Sequence, residues 1–159
     1  MKKVYLAGPD VFQPNAKGIG EALISLLDGL GMQGMFPLDN EIALGNDRVA
    51  NGIKIAKANR EMIHQCDGVL ANLVPFRGPS ADVGTVWECA YARGLSKIVV
   101  GYGFTHIEYR DGVIGEVPHD GMSVEDFGVW DNIMVVHGLH GFHRLFSEAA
   151  IKLKQLMGA

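Results

Sequence analysis

The chain has 159 residues, of which 48% are apolar and 20% are charged, and its formal net charge is −4. This composition excludes a disordered chain and predicts one globular domain over residues 1–159, because disordered chains carry fewer apolar and more charged residues. The acidic balance disfavours nucleic-acid polymers and anionic membranes as partners, so we expect small-molecule ligands.

The first part of the chain alternates short apolar runs with segments of helical period. Residues 3–8 predict a buried strand that stops at a Gly-Pro pair, and residues 32–36 predict a second strand that leads into a polar turn. Residues 16–30 carry their leucines and isoleucines on one face of a predicted helix, and residues 46–64 predict another helix. This alternation is typical of an α/β domain.

The next segments continue the pattern. Residues 68–74 form a near-continuous apolar run, which predicts a central parallel strand covered on both faces. A loop rich in glycine and proline separates this strand from a predicted helix over residues 83–94, and a strand over 97–102 follows. Residues 103–129 contain many Gly, Asp and Pro breaks and predict a surface excursion.

The end of the sequence predicts one more strand over residues 132–136 and a closing helix over 142–157. Strands that alternate with helices at this spacing predict a doubly wound α/β fold, a parallel sheet with helices on both faces. We expect a flavodoxin-like strand order. Ligands of such folds bind outside the carboxyl ends of the strands. This rule predicts one crevice around residues 8–12, 39–41 and 75–88.

Two carboxylates in this crevice are candidates for chemistry. Asp82 precedes the predicted helix over 83–94, where it could act as an N-terminal cap. Glu88 lies six residues later between Trp87 and Cys89, in a mostly apolar helix. A buried glutamate is costly unless it is paired or functional, so a structural ion pair is the alternative. Paired carboxylates suit the cleavage of a glycosidic bond.

Other site types find little support in the sequence. No GxGxxG or P-loop motif is present, which disfavours dinucleotides and nucleotide triphosphates, and no GxSxG motif supports a serine hydrolase. His137, His140 and His143 are spaced by three, but glycines interrupt them and no HExxH pattern accompanies them. We therefore predict neither a metal site nor a cofactor.

The two cysteines and the start of the sequence bear on location. Cys66 and Cys89 form neither a CxxC motif nor a metal-ligand spacing. We expect no secretory leader, because Met1-Lys2-Lys3 leads at once into a short apolar run. No apolar stretch approaches the roughly 20 residues that span a bilayer. We interpret both cysteines as reduced thiols and expect a cytoplasmic protein.

Six segments, taken in order, carry a resemblance to a known family. They are Val-Tyr-Leu-Ala-Gly-Pro at 4–9, Pro-Leu-Asp-Asn-Glu at 37–41, Asn59 with Ile63 and Cys66-Asp67, Ala-Asn-Leu-Val-Pro-Phe-Arg-Gly at 71–78, Asp-Val-Gly-Thr at 82–85 with Glu88 and Tyr91-Ala92, and Asp-Asn-Ile-Met at 131–134. In this combination the sequence resembles the nucleoside 2-deoxyribosyltransferase family.

The resemblance implies a flavodoxin-like homo-oligomer that moves a 2-deoxyribosyl group between nucleobases, with slow hydrolysis as a side reaction. Its partners would be deoxyribonucleosides and free nucleobases. Glu88 would be the covalent nucleophile and Tyr5 its hydrogen-bonding orienter, although Tyr5 could equally be a core aromatic. Asp82 would bind the sugar or handle protons near the leaving base.

The resemblance and the predicted crevice together indicate the substrate-binding residues. Asn59 stands where some relatives carry an aspartate, and Glu41 stands where some carry a glutamine. Asn132 matches a residue that the family lends to a neighbouring subunit, although it could merely start the last strand. An ordinary turn is the alternative for residues 39–41. The predicted substrate-binding residues are Gly8, Phe12, Asp39, Glu41, Asn59, Gly84 and Asn132.

Two other functions stay open at this point. A hydrolase of deoxynucleoside 5′-monophosphates would need a phosphate cradle, which Arg77, Ser80 and the start of the helix over 83–94 could supply. A non-catalytic nucleotide-sensing domain of the same fold would bind without turnover, but it would leave Glu88 in an apolar helix unexplained.

Overall fold

A parallel sheet forms the centre of the computed structural model, which describes residues 1–40, 42–103, 106–116 and 120–159. The strands of the described chain are β1 (Lys2–Ala7), β2 (Met32–Met35), β3 (Gly68–Asn72), β4 (Ile98–Tyr102) and β5 (Gly141–His143). They pair in parallel in the order β2-β1-β3-β4-β5. This order is the flavodoxin-like one, so the predicted doubly wound fold is confirmed.

Helices cover both faces of this sheet. The α-helices of the described residues are α1 (Ala16–Gly29), α2 (Arg48–Gln65), α3 (Val83–Gly94), α4 (Tyr109–Glu116), α5 (Ile133–His137) and α6 (Phe146–Leu156). Among the described residues, no helix combines the length and apolar character needed to cross a membrane.

The two faces of the sheet build two cores. Along β1, Tyr5 and Ala7 pack with residues of α2 and α3, whereas Val4 and Leu6 pack with residues of α1 and α6. The alternation follows from strand geometry, in which successive side chains point to opposite faces. Because both faces are covered, the strands read as continuous apolar runs rather than alternating ones.

The predicted strand over residues 132–136 is wrong. This segment is α5, and the Asn132 side chain caps it by accepting a hydrogen bond from Met134 N at 2.9 Å. A short apolar run does not distinguish strand from helix, and here the capping asparagine favours the helix. The last strand is β5 instead, so Phe142 lies in a strand and the closing helix begins at Phe146.

The excursion predicted over residues 103–129 contains α4. The backbone N–H of Tyr109 donates to the carbonyl oxygen of Val129 at 2.8 Å, which joins the start of α4 to the segment before α5. The bond thus brings the end of the excursion back to the start of α4.

Candidate active site

The carboxyl ends of β1 and β3 approach each other closely. Asn72 Nδ2 donates to both carboxylate oxygens of Asp10, at 3.1 and 2.9 Å. A Cβ on Gly8 would lie 2.7 Å from the Cβ of Asn72 and 2.6 Å from Asp10 Oδ2. Only glycine fits between these two segments, and its backbone borders the cavity described below.

Glu88 is held at one of its two carboxylate oxygens. The Tyr5 hydroxyl donates to Glu88 Oε1 at 2.7 Å, and Asn59 Nδ2 donates to the same oxygen at 3.2 Å. Glu88 Oε2 accepts no hydrogen bond from the described residues. The carboxylate is thus oriented through Oε1, while Oε2 stays available to a ligand.

The surroundings of Glu88 change the protonation of both Glu88 and Tyr5. Burial raises the pKa of Glu88, the hydrogen bonds from Tyr5 and Asn59 lower it in part, and the nearby Asp82 raises it again. Burial, followed by the charge of Glu88, raises the pKa of the Tyr5 hydroxyl far above its ordinary value. Tyr5 therefore remains a hydrogen-bond donor at every physiological pH.

Asp82 caps α3 and borders the same cavity. Its Oδ2 accepts hydrogen bonds from the Thr85 backbone N–H at 2.8 Å and from the Thr85 hydroxyl at 2.9 Å. Its Oδ1 has no hydrogen-bond partner among the described residues. The capping interpretation of Asp82 is correct, and it leaves one carboxylate oxygen free.

A cavity of about 410 Å³ joins these groups. Its polar lining comes from Asn59, Asp82, Thr85 and Glu88, together with Asn40. The remainder is mostly apolar and consists of Gly8, Val11, Phe12, Pro37, Leu38, Ile42, Leu44, Ile55 and Gly84. An apolar pocket of this size with a few convergent polar groups is the usual form of a small-molecule site.

Asn59 leaves one polar atom unsatisfied in this cavity. Its Nδ2 donates to Glu88, but its buried Oδ1 has no hydrogen-bond partner in the described structure. Buried polar atoms are nearly always paired. This oxygen therefore indicates a ligand that brings a hydrogen-bond donor.

The structure brings together most of the predicted site residues. The cavity is lined by Gly8, Phe12, Asn59, Asp82, Gly84 and Glu88. Tyr5 contacts Glu88 from β1, since its hydroxyl donates to Glu88 Oε1. Asp39 does not line it, since its Oδ2 accepts from Phe36 N at 3.1 Å within a tight turn. Glu41 lies outside the described residues.

Asn132 lies apart from the Glu88 cavity of its own chain. It borders a second cavity of about 330 Å³ between α3 and α5, lined mainly by apolar side chains. Its Nδ2 donates to Glu125 Oε1 at 2.7 Å.

The three histidines lie on different elements. His137 ends α5, His143 belongs to β5, and His140 accepts a hydrogen bond from Val99 N at 3.0 Å between them. Among the described residues, no group of three or more His, Cys, Asp or Glu side chains is placed to hold a metal ion.

Thr85 and much of the apolar lining were not among the predicted substrate-binding residues. Ile55 precedes Asn59 by four residues in α2, so helical spacing alone would have placed both on one face. Thr85 follows Asp82 by three residues, the spacing of a capped first turn. Leu38, Ile42 and Leu44 carry no such local signal, because they lie in or beside an irregular connection.

Known proteins resemble this chain over most of its length. A family model described as nucleoside 2-deoxyribosyltransferase matches residues 4–134. The solved structure of a 2-deoxyribosyltransferase from Leishmania mexicana is 32% identical, with a TM-score of 0.79 and coverage of 98% of both chains.

Three further proteins match at lower sequence identity or over a smaller part of their length. A 2-deoxyribosyltransferase from Bacillus psychrosaccharolyticus is 19% identical with a TM-score of 0.63, covering 93% of this chain and 90% of that one. A CMP N-glycosidase from Clostridium botulinum is 18% identical with a TM-score of 0.51, covering 98% and 99%. Both show the fold alone. An uncharacterized Schizosaccharomyces pombe protein is 36% identical over 104 residues, 62% of this chain and 48% of the relative, so the chain spans about half of that relative's length.

Proposed function

Because the chain belongs to the nucleoside 2-deoxyribosyltransferase family, we propose that it moves a 2-deoxyribosyl group between nucleobases through a covalent intermediate on Glu88. One observation carries this proposal. Glu88 is held at Oε1 by Tyr5 and Asn59, while Oε2 is unpaired at the wall of a cavity of about 410 Å³. Glu88 does not form the structural ion pair that was the alternative, because it has no cationic partner among the described residues.

In the first half of the reaction, Glu88 Oε2 attacks C1′ of the deoxyribosyl group. The bond between C1′ and the base nitrogen breaks, and its electron pair leaves with the base, which takes up a proton. A 2-deoxy sugar lacks the electron-withdrawing 2′-hydroxyl, so positive charge develops at C1′ more readily. The adjacent carboxylate stabilises that charge before it forms the ester bond.

In the second half, an incoming base attacks C1′ from the side that the first base left, and Glu88 departs as a carboxylate. The incoming base gives its ring N–H proton to the group that protonated the first base. Two inversions give net retention at C1′. Water can replace the incoming base, which accounts for slow hydrolysis as a side reaction.

Asp82 is our candidate for the group that handles the proton of the leaving base. Its Oδ2 already accepts two hydrogen bonds from Thr85, so a transferred proton would pass through Oδ1. The same oxygen could instead accept a hydrogen bond from a sugar hydroxyl. A nucleoside whose leaving base needs no proton separates proton transfer from hydrogen bonding to the sugar, because only proton transfer becomes unnecessary with it.

The remaining lining suits the other parts of a nucleoside. The unpaired Asn59 Oδ1 would accept a hydrogen bond from the substrate. Phe12, with Leu38, Ile42 and the other apolar side chains of the cavity, would pack against the flat base. Gly8 and Gly84 allow the sugar to approach the backbone.

The test is a base-exchange assay, read by liquid chromatography, with four deoxyribonucleoside donors and several acceptor bases. We expect a new deoxyribonucleoside only when an acceptor base is present, and a slower release of free base without one. Equal donor loss with and without an acceptor would contradict transferase activity.

A hydrolase of deoxynucleoside 5′-monophosphates is the second candidate, and Arg77 favours it. This exposed guanidinium lies 5.2 Å from the ring of Phe12, which lines the cavity. The other parts of the predicted phosphate cradle are already used, because Ser80 Oγ donates to Asp131 and the Asp82 carboxylate caps α3. Parallel assays with monophosphates decide between the candidates, since a hydrolase would prefer them and ignore the acceptor base.

We also propose that the active site is shared between subunits, with Asn132 reaching the Glu88 cavity of a neighbour. Support comes from its place outside its own chain's cavity, in a second cavity that is also lined by Met134, an apolar residue with an exposed side chain. Exposed apolar groups of this kind are typical of an interface, and most homo-oligomers are built on two-fold axes.

Complementation tests the shared site. Glu88→Ala and Asn132→Ala should each be badly impaired alone. Random refolding of the two together makes about half of the dimers mixed, and about a quarter of the native activity should return, because one site in each mixed dimer carries neither change. No recovery in mixed dimers confirmed by mass spectrometry would show that Asn132 serves its own chain.

A further inference from the structure

Asp131 is a buried carboxylate outside the cavity. Only 1% of its surface is exposed, and among the described residues it has no salt-bridge partner. A buried charge without a cation is costly, and only strong hydrogen bonds offset that cost.

Three donors meet this carboxylate. Its Oδ1 accepts from the Ser80 hydroxyl at 2.5 Å and from Asn132 N at 2.7 Å, and its Oδ2 accepts from Ala81 N at 2.8 Å. Hydrogen bonds to an ionised acceptor are roughly twice as strong as those between neutral groups. The carboxylate thus joins the segment before α3 to the segment before α5.

The segment before α3 is also held by the stacking of Phe76 on Phe12, with ring centroids 5.4 Å apart. It is a tight loop in which Pro75 bridges Ala81 and Phe76 N donates to the Ser80 carbonyl oxygen at 2.9 Å. Arg77 within it has a φ of 57°, a strained value for a residue with a side chain. The loop runs directly into Asp82, so whatever holds residues 80 and 81 also sets the position of the Asp82 carboxylate.

We propose that Asp131 is a positioning residue, which holds Asp82 at the cavity through the hydroxyl of Ser80 and the backbone of Ala81. The proposal rests on the proposed function, because it concerns the same site. An asparagine at position 131 would turn one acceptor into an NH₂ group that faces donors. The loop would then move, and a displacement near 1 Å at a catalytic group can cost about 10²-fold in rate.

Kinetics supply the first test. We expect Asp131→Asn, assayed well below its melting temperature, to lower kcat about 10²-fold with a smaller change in KM. Ser80→Ala should lower kcat less, in the same direction, and it covers the case in which Asp131→Asn fails to fold. In the Asp82→Asn background, Asp131→Asn should cost little further, because both changes disturb one group. Strictly additive losses would overturn the proposal.

The matched control is Asp67→Asn. Asp67 also bridges two segments, accepting from Lys3 N at 2.8 Å and Lys2 Nζ at 3.0 Å, but at the amino end of the sheet. This variant should lose stability and keep its kcat. If the Asp131→Asn and Asp67→Asn variants both retain the native kcat, Asp131 is merely structural.

A second readout is independent of turnover. The Thr85 amide lies in the first turn of α3, where the helix itself offers no acceptor, and it donates to Asp82 Oδ2. Hydrogen exchange by NMR should therefore be faster at Thr85 in Asp131→Asn than in the native protein or Asp67→Asn. An unchanged rate of hydrogen exchange at Thr85 would overturn the proposal, whether or not the native protein has base-exchange activity. If the native protein has no base-exchange activity but hydrogen exchange at Thr85 is faster in Asp131→Asn, only the proposed function is refuted.

Discussion

Two carboxylates at opposite ends of the sheet, Glu88 and Asp67, are held in contrasting ways. Asp67 precedes β3 at the amino end, and the hydrogen bond from Lys3 N, followed by that from Lys2, lowers its pKa. Glu88 lies beside the cavity at the carboxyl end, where burial raises its pKa despite the hydrogen bonds from Tyr5 and Asn59. The hydrogen bonds to Asp67 stabilise its ionised form in the folded protein. Burial of Glu88 makes its ionised form unfavourable, so the ionised carboxylate lowers the stability of the fold.

The contrast has opposite consequences for stability as pH changes. The folded-state pKa of Asp67 is depressed, so its contribution is present above its unfolded pKa and is lost as pH falls through the folded one. The folded-state pKa of Glu88 is raised, so folding is favoured below its unfolded pKa and that advantage is lost as pH rises through the folded one. Functional sites commonly carry such a cost.

The largest expected effect comes from removing Glu88. Glu88→Ala should lower base exchange by several orders of magnitude, as deletions of other covalent nucleophiles do, while circular dichroism stays native. In the native enzyme, a 2′-fluorinated arabinosyl nucleoside should slow the second step, and peptide mapping should find the sugar adduct on Glu88. Near-native turnover of the variant, or an adduct on another residue, would end the assignment.

The next largest effect concerns Asp82. If it protonates the leaving base, Asp82→Asn should slow a poor leaving base by about 10²-fold or more and spare an activated nucleoside whose base needs no proton. If it is only a cap, both donors should suffer alike and the free energy of unfolding should fall by about 1 kcal/mol or less, because asparagine also caps well. The ratio of the two kcat/KM values is the measurement.

A smaller effect tests how Tyr5 controls Glu88. If Glu88 is the nucleophile it must be ionised to attack, so activity should fall as pH falls through its raised pKa. Tyr5→Phe removes a hydrogen bond that lowers this pKa, so the acidic limb of kcat/KM should move to higher pH. Tyr91→Phe is the control, because its hydroxyl bonds to His64 rather than to Glu88. A limb that stays in place in Tyr5→Phe would refute the orienting role.

The smallest effects compare the two carboxylates directly by thermal unfolding. At pH 7, Glu88→Gln should raise the melting temperature, by about 2–4 °C for each 1 kcal/mol released in a domain of this size. Asp67→Asn should lower the free energy of unfolding by less than about 1 kcal/mol, since its bonds lie at the surface. Both differences should shrink toward acidic pH. If Glu88→Gln unfolds at a lower temperature than the native protein at pH 7, the charge of Glu88 does not lower the free energy of unfolding.

Local patterns in the sequence predict much of the fold and the centre of the site. The runs that became β1 to β4 and the periodic segments that became α1 to α3 have the right type, because burial on both faces and helical spacing leave a local imprint. Glu88 stands out as a charge within an apolar helix, and Asp82 as a cap before it. The roles of these two residues stay predictions.

The patterns fail where contacts between distant segments decide the structure. The apolar pattern of residues 132–136 suits a strand as well as a helix, and the pairing of β5 with β4 shows which later run completes the sheet. The position of Asp39 in a turn rather than at the cavity has the same cause, because a turn residue can point either way. The Asn132 cap is a local signal for the helix, whereas nothing local fixes where the Asp39 side chain points.

The sequence by itself determined the α/β class, the order of most elements and the two carboxylates of α3, because propensity, periodicity and capping act over a few residues. Tertiary structure alone decided what surrounds those carboxylates. Tyr5 reaches Glu88 across 83 residues of chain, and Ser80 reaches Asp131 across 51. Such contacts depend on the order in which parallel strands pair, and that order fixes which carboxylate oxygen is held and which is left free.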